Sequence, residues 1–179
     1  WALCTEKRKL TKVIATLAVG WAVCVHSGTG AIFGFVARGL YESPLLPASF
    51  VAAALASGTA LMIILIVTLF KITDRHLDDE LIIWLGRFLS ISILVVFYFI
   101  FLENAYRAYV VESRHALIYY LFGGVHSLFF WIGLIFIGCV LPLFLFFKRK
   151  TGKSIRWIVL ASSFVIFGIL CERYVIVIP

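Results

Sequence analysis

Residues 81–107 read LIIWLGRFLSISILVVFYFIFLENAYR, and this stretch decides the fold. Between Leu81 and Leu102 the single charged residue is Arg87. An α-helix rises about 1.5 Å per residue, so about 20 apolar residues cross a hydrocarbon core of about 30 Å. This segment is long enough and apolar enough to do so. Working outward from 81–106, comparable stretches fall at 13–37, 44–70, 116–147 and 157–178. The expected fold is an all-α integral membrane bundle of five transmembrane helices, forming a single transmembrane domain over 1–179. The 116–147 stretch exceeds the length a span needs, so it should tilt or bend, and Pro142 offers a place for a bend.

Composition supports lipid as the solvent. The chain is 63% hydrophobic and 14% charged, with a mean hydropathy of +1.08; soluble domains average about 45–50% apolar and about 25% charged. A net charge of +7 does not indicate nucleic acid here, because most Lys and Arg lie in short runs between the apolar segments, as membrane loops place them. Cys4, Cys24, Cys139 and Cys171 form no Cys-x-x-Cys pair, and no disulfide framework or iron–sulfur site follows from them. The chain opens Trp1-Ala2-Leu3-Cys4 and enters a basic run without a signal-peptide pattern, as expected of a processed chain or part of a longer protein.

The basic residues also set an expected orientation. Eleven of them, from Lys7 to Lys12, at Lys71 and Arg75, and from Lys148 to Arg156, fall on one side. Arg38, Arg107 and Arg114 fall on the other, and Arg87 and Arg173 lie within helices. Basic loops stay in the cytoplasm, so the N-terminus is expected there and the C-terminus outside. Small residues predict helix packing: Gly20, Cys24, Gly28 and, a little round, Gly30 and Gly34 on the first helix should meet Ala48, Ala52, Ala56 and Ala60 on the second.

Ionisable groups at membrane depth are costly and face a bundle interior or an aqueous cavity. His26 sits about 21 Å from Lys12 by helical rise, near the middle of the first span, with Gly30 and Gly34 beside it. Glu103 and Asn104 lie about 35 Å along the third helix from Glu80, at the outer boundary, one turn before Arg107. A Glu103–Arg107 pair would serve equally as an interfacial salt bridge. Glu172 and Arg173 lie about 24 Å above Arg156, inside an apolar run, and neighbouring residues point in different directions, so one should reach another helix. His126, about 33 Å from Lys148, falls near the outer surface close to His115 and Tyr119. Arg87 is expected to snorkel to the inner surface. The acidic loop residues Asp74, Asp78, Asp79 and Glu80 are expected to be solvated.

Three strings combine into a resemblance: Val25-His26-Ser27 in a glycine-rich helix, Ser43-Pro44-Leu45-Leu46-Pro47-Ala48-Ser49-Phe50 running into Ala56-Ser57-Gly58-Thr59-Ala60-Leu61, and Glu172-Arg173-Tyr174-Val175-Ile176-Val177-Ile178-Pro179. Together they resemble the NrfD family, the membrane subunits of polysulfide reductase and its relatives, and most of all its ten-helix members. The resemblance implies that these five helices are the C-terminal half of an eight- to ten-helix subunit in a prokaryotic cytoplasmic membrane. It further implies a subunit without its own haem or iron–sulfur cluster, which binds menaquinone or ubiquinone near the outer face and exchanges electrons with an iron–sulfur partner subunit. Carried over by position, His26 matches the family's helix histidine and Glu172-Arg173 its terminal acid–base pair; Ile32 stands where some members have an aspartate.

The chemistry agrees with that implication. Quinol oxidation releases two protons with two electrons, so a site needs proton acceptors, and histidine, with an ordinary pKa of about 6.5, and carboxylates can serve. The expected quinone-binding or proton-handling residues are His26, Glu103, Asn104, His126, Glu172 and Arg173; no metal ligands and no catalytic residues of a soluble enzyme type are expected. Two other classes compete: a haem-b carrier using His26 and His126, and a membrane anchor or transporter with no redox site.

Overall fold

A computed structural model describes residues 8–35, 43–73, 79–148 and 154–177. Its elements are α1 (Arg8–Gly34), α2 (Leu46–Ile72), α3 (Asp79–Tyr109), α4 (Val111–Phe122), α5 (Gly124–Leu128), a π-helical stretch (Phe129–Val140), α6 (Leu141–Phe147) and α7 (Ile155–Val177). Among the described residues, five helices are long and apolar enough to cross a membrane: Lys9–Gly34, Leu46–Ile72, Asp79–Tyr109, Phe129–Phe147 and Ile155–Ile176. The architecture is an all-α membrane bundle.

Local chemistry accounts for the helix ends. At the start of α2, Pro47 occupies the first turn, where a missing N–H costs nothing. The Leu46 N–H donates to Ser43 O at 3.3 Å and the Ser49 hydroxyl donates to Leu46 O at 3.0 Å. At the other end of α2, the Thr73 N–H and hydroxyl both donate to Leu69 O. The last carbonyls of α3, which have no helical partner, are taken up by the next element. The Ser113 hydroxyl donates to Arg107 O at 3.0 Å, and Arg114 donates to Ala108 O through Nε and Nη2 at 3.2 Å.

The 116–147 stretch is not one helix. The chain breaks at Gly123, which is extended, and Gly124 has a φ of 73°, a left-handed conformation that favours glycine. The break is sealed by Ser127 and Trp131, whose hydroxyl and indole N–H both donate to Leu121 O. From Phe129 the helix widens into twelve π-helical residues, and the Leu141 N–H reaches back five residues to Phe136 O. The wide turns end just before Pro142, which has no N–H to donate and would crowd the carbonyl four residues back in a tighter helix. Pro142 thus marks the return to α-helix, where the sequence suggested a bend.

α2, α3, the π stretch and α7 enclose the core, in which Ile63, Ile82, Leu89, Ile93, Ile158 and Val165 are fully buried. The π stretch and α7 touch backbone to backbone. A methyl group on Gly138 would come within 2.8 Å of Gly168 Cα, and one on Gly133 within 2.8 Å of Cys171 Sγ. Ala52, Ala56 and Ala60 are buried as expected, but they face this core, not α1, and Ala48 is exposed. Of the α1 residues expected to meet them, Gly20 and Gly28 have nothing within 4 Å, and Cys24 is exposed. The other two small residues of the expected face, Gly30 and Gly34, do seat the last turns of α1 against the start of α2. A Cβ on Gly30 would lie 2.6 Å from Pro47 Cα, and one on Gly34 2.9 Å from Ser43 O. The rest of α1 presents large apolar side chains outward, among them Val13, Leu17 and Trp21.

Candidate functional site

α3 and α7 both carry ionisable residues near their C-terminal ends, Glu103 and Arg107 on α3 and Glu172 and Arg173 on α7. On α3, Glu103 and Arg107 are one turn apart and share a face. They pair at 3.6 Å, Oε2 to Nη2, and are buried to 7% and 6% exposure. Their burial sets them apart from a solvent-exposed surface pair. On α7, Glu172 is also buried, and it lies within electrostatic range of Arg173, Glu103 and Arg107. Two carboxylates and two guanidiniums from separate helices therefore form one charge cluster.

The cluster is not internally satisfied. Among the described residues, Glu103 Oε1, Asn104 Oδ1, Glu172 Oε2 and Arg173 Nη1 are buried without a hydrogen-bond partner. Asn104 uses its Nδ2 to donate to Ile100 O at 2.7 Å. Buried polar atoms in native proteins are nearly always paired, and here four such orphans gather in two short segments, 103–104 and 172–173. They comprise three acceptors and one donor. Arg173 lays its guanidinium over the Phe50 ring, its central carbon 3.5 Å from the ring centroid, while staying within electrostatic range of Glu172.

An apolar groove of about 320 Å³ runs alongside, between the π stretch and α7, lined by Leu128, Phe129, Ile132, Gly133, Ile137, Phe167 and Cys171. Gly133 belongs to this lining, and a Cβ there would come within 2.8 Å of Cys171 Sγ. Phe129, part of this lining, meets Tyr174 with the rings 5.1 Å apart.

Of the six residues expected to form the site, Glu103, Asn104, Glu172 and Arg173 lie at the same end of α3 and α7. His26 does not join them: it is exposed on the part of α1 that leaves the bundle. His126 belongs to α5, and its side chain lies outside the described residues. Arg107 and Phe50 complete the cluster. Arg107 had an available signal in its i, i+4 spacing from Glu103; Phe50 lies in a quoted motif, but no spacing rule links it to Arg173, 123 positions later.

The family described as polysulphide reductase, NrfD, matches residues 1–179. Over 177 residues the chain is 35% identical to an Hdr-like menaquinol oxidoreductase integral membrane subunit of Archaeoglobus fulgidus, covering 97% of this chain and 45% of that protein. It is 34% identical to a selenate reductase subunit of Mesobacillus selenatarsenatis, covering 97% of this chain and 40% of the relative. A putative dimethyl sulfoxide reductase membrane subunit of Halobacterium salinarum is 30% identical, with 88% and 37% covered. The chain spans less than half the length of these relatives, and the match across its full extent shows that it belongs to the NrfD polysulphide reductase family.

Proposed function

We propose that this chain forms part of a quinone-interacting membrane subunit of a respiratory oxidoreductase, with the Glu103–Arg107–Glu172–Arg173 cluster as the polar end of a quinol site. The carrying observation is the set of buried orphan atoms. A quinol presents two O–H donors, and Glu103 Oε1 and Glu172 Oε2 are acceptors without partners; a quinone presents carbonyls, and Arg173 Nη1 is a free donor. The groove beside Cys171 suits an apolar tail. Menaquinol in the name of one relative, and reductase subunits in the names of two others, support the same chemistry.

On this reading each quinol oxidised gives up two electrons and two protons. The carboxylates receive the protons, and Arg107 holds Glu103 in place. The electrons pass to an iron–sulfur partner subunit. The chain sits in a prokaryotic cytoplasmic membrane with the cluster toward the outer leaflet, a placement supported by the basic residues gathered at the other end. His26 is the group that a helix packed against α1 would cover, and its imidazole is a further proton acceptor there.

Glu172→Gln in the intact complex keeps the shape of the side chain and removes its basicity. Quinol-linked electron transfer should fall at least about tenfold, the lower end of general acid–base contributions being larger still, while assembly and turnover with an artificial donor to the partner persist. Unchanged quinol kinetics in Glu172→Gln and Glu103→Gln would remove the site from this cluster. His26→Ala measured in parallel reports separately on α1.

A further inference from the structure

Arg173 has an unusual resting place. It follows Glu172 directly, and successive helix residues point about 100° apart, so when Glu172 enters the space between α3 and α7 its neighbour is directed elsewhere. An arginine this close to a helix end would ordinarily extend its stem and place its head at the membrane surface. Here the guanidinium carbon lies 3.5 Å over the centre of the Phe50 ring. Phe50 is itself 5% exposed and cannot swing aside, because Leu46 and Ile176 pack around it and Phe33 of α1 stacks against it at 5.9 Å and 30°. Phe33 is fixed in turn, since Gly30 and Gly34, on either side of it, seat the end of α1 on Pro47 and Ser43.

We propose that Phe50 is a positioning residue: its ring face holds the Arg173 guanidinium beside Glu172 and keeps it from the membrane surface, with Phe33 as the ring's backing. This role rests on the quinol-site reading for its functional consequence but on contacts alone for its geometry. The face of an aromatic ring is electron-rich and attracts a desolvated cation. Withdrawing electrons from the ring weakens that attraction while leaving the shape almost unchanged. Phe50 touches no expected substrate atom, and its effect would pass through Arg173.

The test is graded fluorination of Phe50 in the intact membrane complex, with mono-, di- and trifluoro-phenylalanine introduced at this codon. Two measurements are made. Without quinol, the fluorine NMR signal of monofluorinated Phe50 should shift on Arg173→Gln and stay in place on Arg87→Gln. With quinol, the KM should rise step by step with fluorination, to about tenfold for the trifluoro ring, while artificial-donor turnover is constant; the same series at Phe33 should change KM far less. A fluorine signal indifferent to Arg173→Gln overturns the positioning role. So does a flat KM across the Phe50 series when Glu172→Gln has abolished quinol oxidation. If Glu172→Gln itself leaves quinol oxidation intact, the quinol reading fails, and the fluorine shift alone decides whether Phe50 holds Arg173.

Discussion

A buried ion pair resists the loss of one member more than the loss of both, and the Glu103–Arg107 pair is a place to measure this. Both side chains are nearly excluded from solvent. Removing one partner leaves an uncompensated charge at a cost of about 3–5 kcal/mol, whereas replacing both by neutral groups of similar volume is often close to neutral. Arg107→Met should therefore lower the thermal stability of the purified protein sharply, and adding Glu103→Gln to it should restore most of the loss. If the double variant is no more stable than the single one, Arg107 matters for packing and not for charge balance. The residue identities were legible in the sequence, because charged residues inside apolar runs stand out. Their burial was not, since an i, i+4 pair reads the same at a surface and inside a bundle.

At the scale of elements, hydropathy and length delivered the spans but not how they meet. The 116–147 run is apolar nearly throughout, so composition reads straight through the break, although the Gly123-Gly124 pair is a turn signal in its own right. The alanines of α2 show the converse. Their spacing of four marks a small face correctly, yet spacing does not name the neighbour, and Ala52, Ala56 and Ala60 turn to the core and not to α1. The tight helix contact of Gly138 against Gly168 joins positions whose pairing depends on the π stretch, because widening the turn changes which residues share a face. Gly168→Val should consequently prevent stable assembly, as a side chain there would overlap Gly138. Gly28→Val, on the open part of α1 where nothing lies within 4 Å, should leave the stability of this bundle within about 0.5 kcal/mol. Comparable losses from both would mean that α1 packs along its whole length against this bundle.

For the whole molecule, the decisive quantity is which side of the membrane the cluster faces, because that determines where the protons of a quinol would be released. Electrostatics sets the expectation. Lys and Arg near span ends are retained in the cytoplasm, and Lys71, Lys148 and Arg156 lie at the end of the bundle away from Glu103 and Glu172. Arg107 weighs little against this, being neutralised by Glu103 and buried. His115 on α4 and Lys148 after α6 are both exposed and belong to opposite ends, which makes them suitable reporters. In a background with the four native cysteines replaced by serine or alanine, His115→Cys should react with a membrane-impermeant maleimide on intact cells. Lys148→Cys should react only after the membrane is opened. The reversed pattern would turn the cluster to the cytoplasmic face: the protons of quinol oxidation would then return to the side that supplies them, and the reaction would contribute nothing to a transmembrane proton gradient through this site.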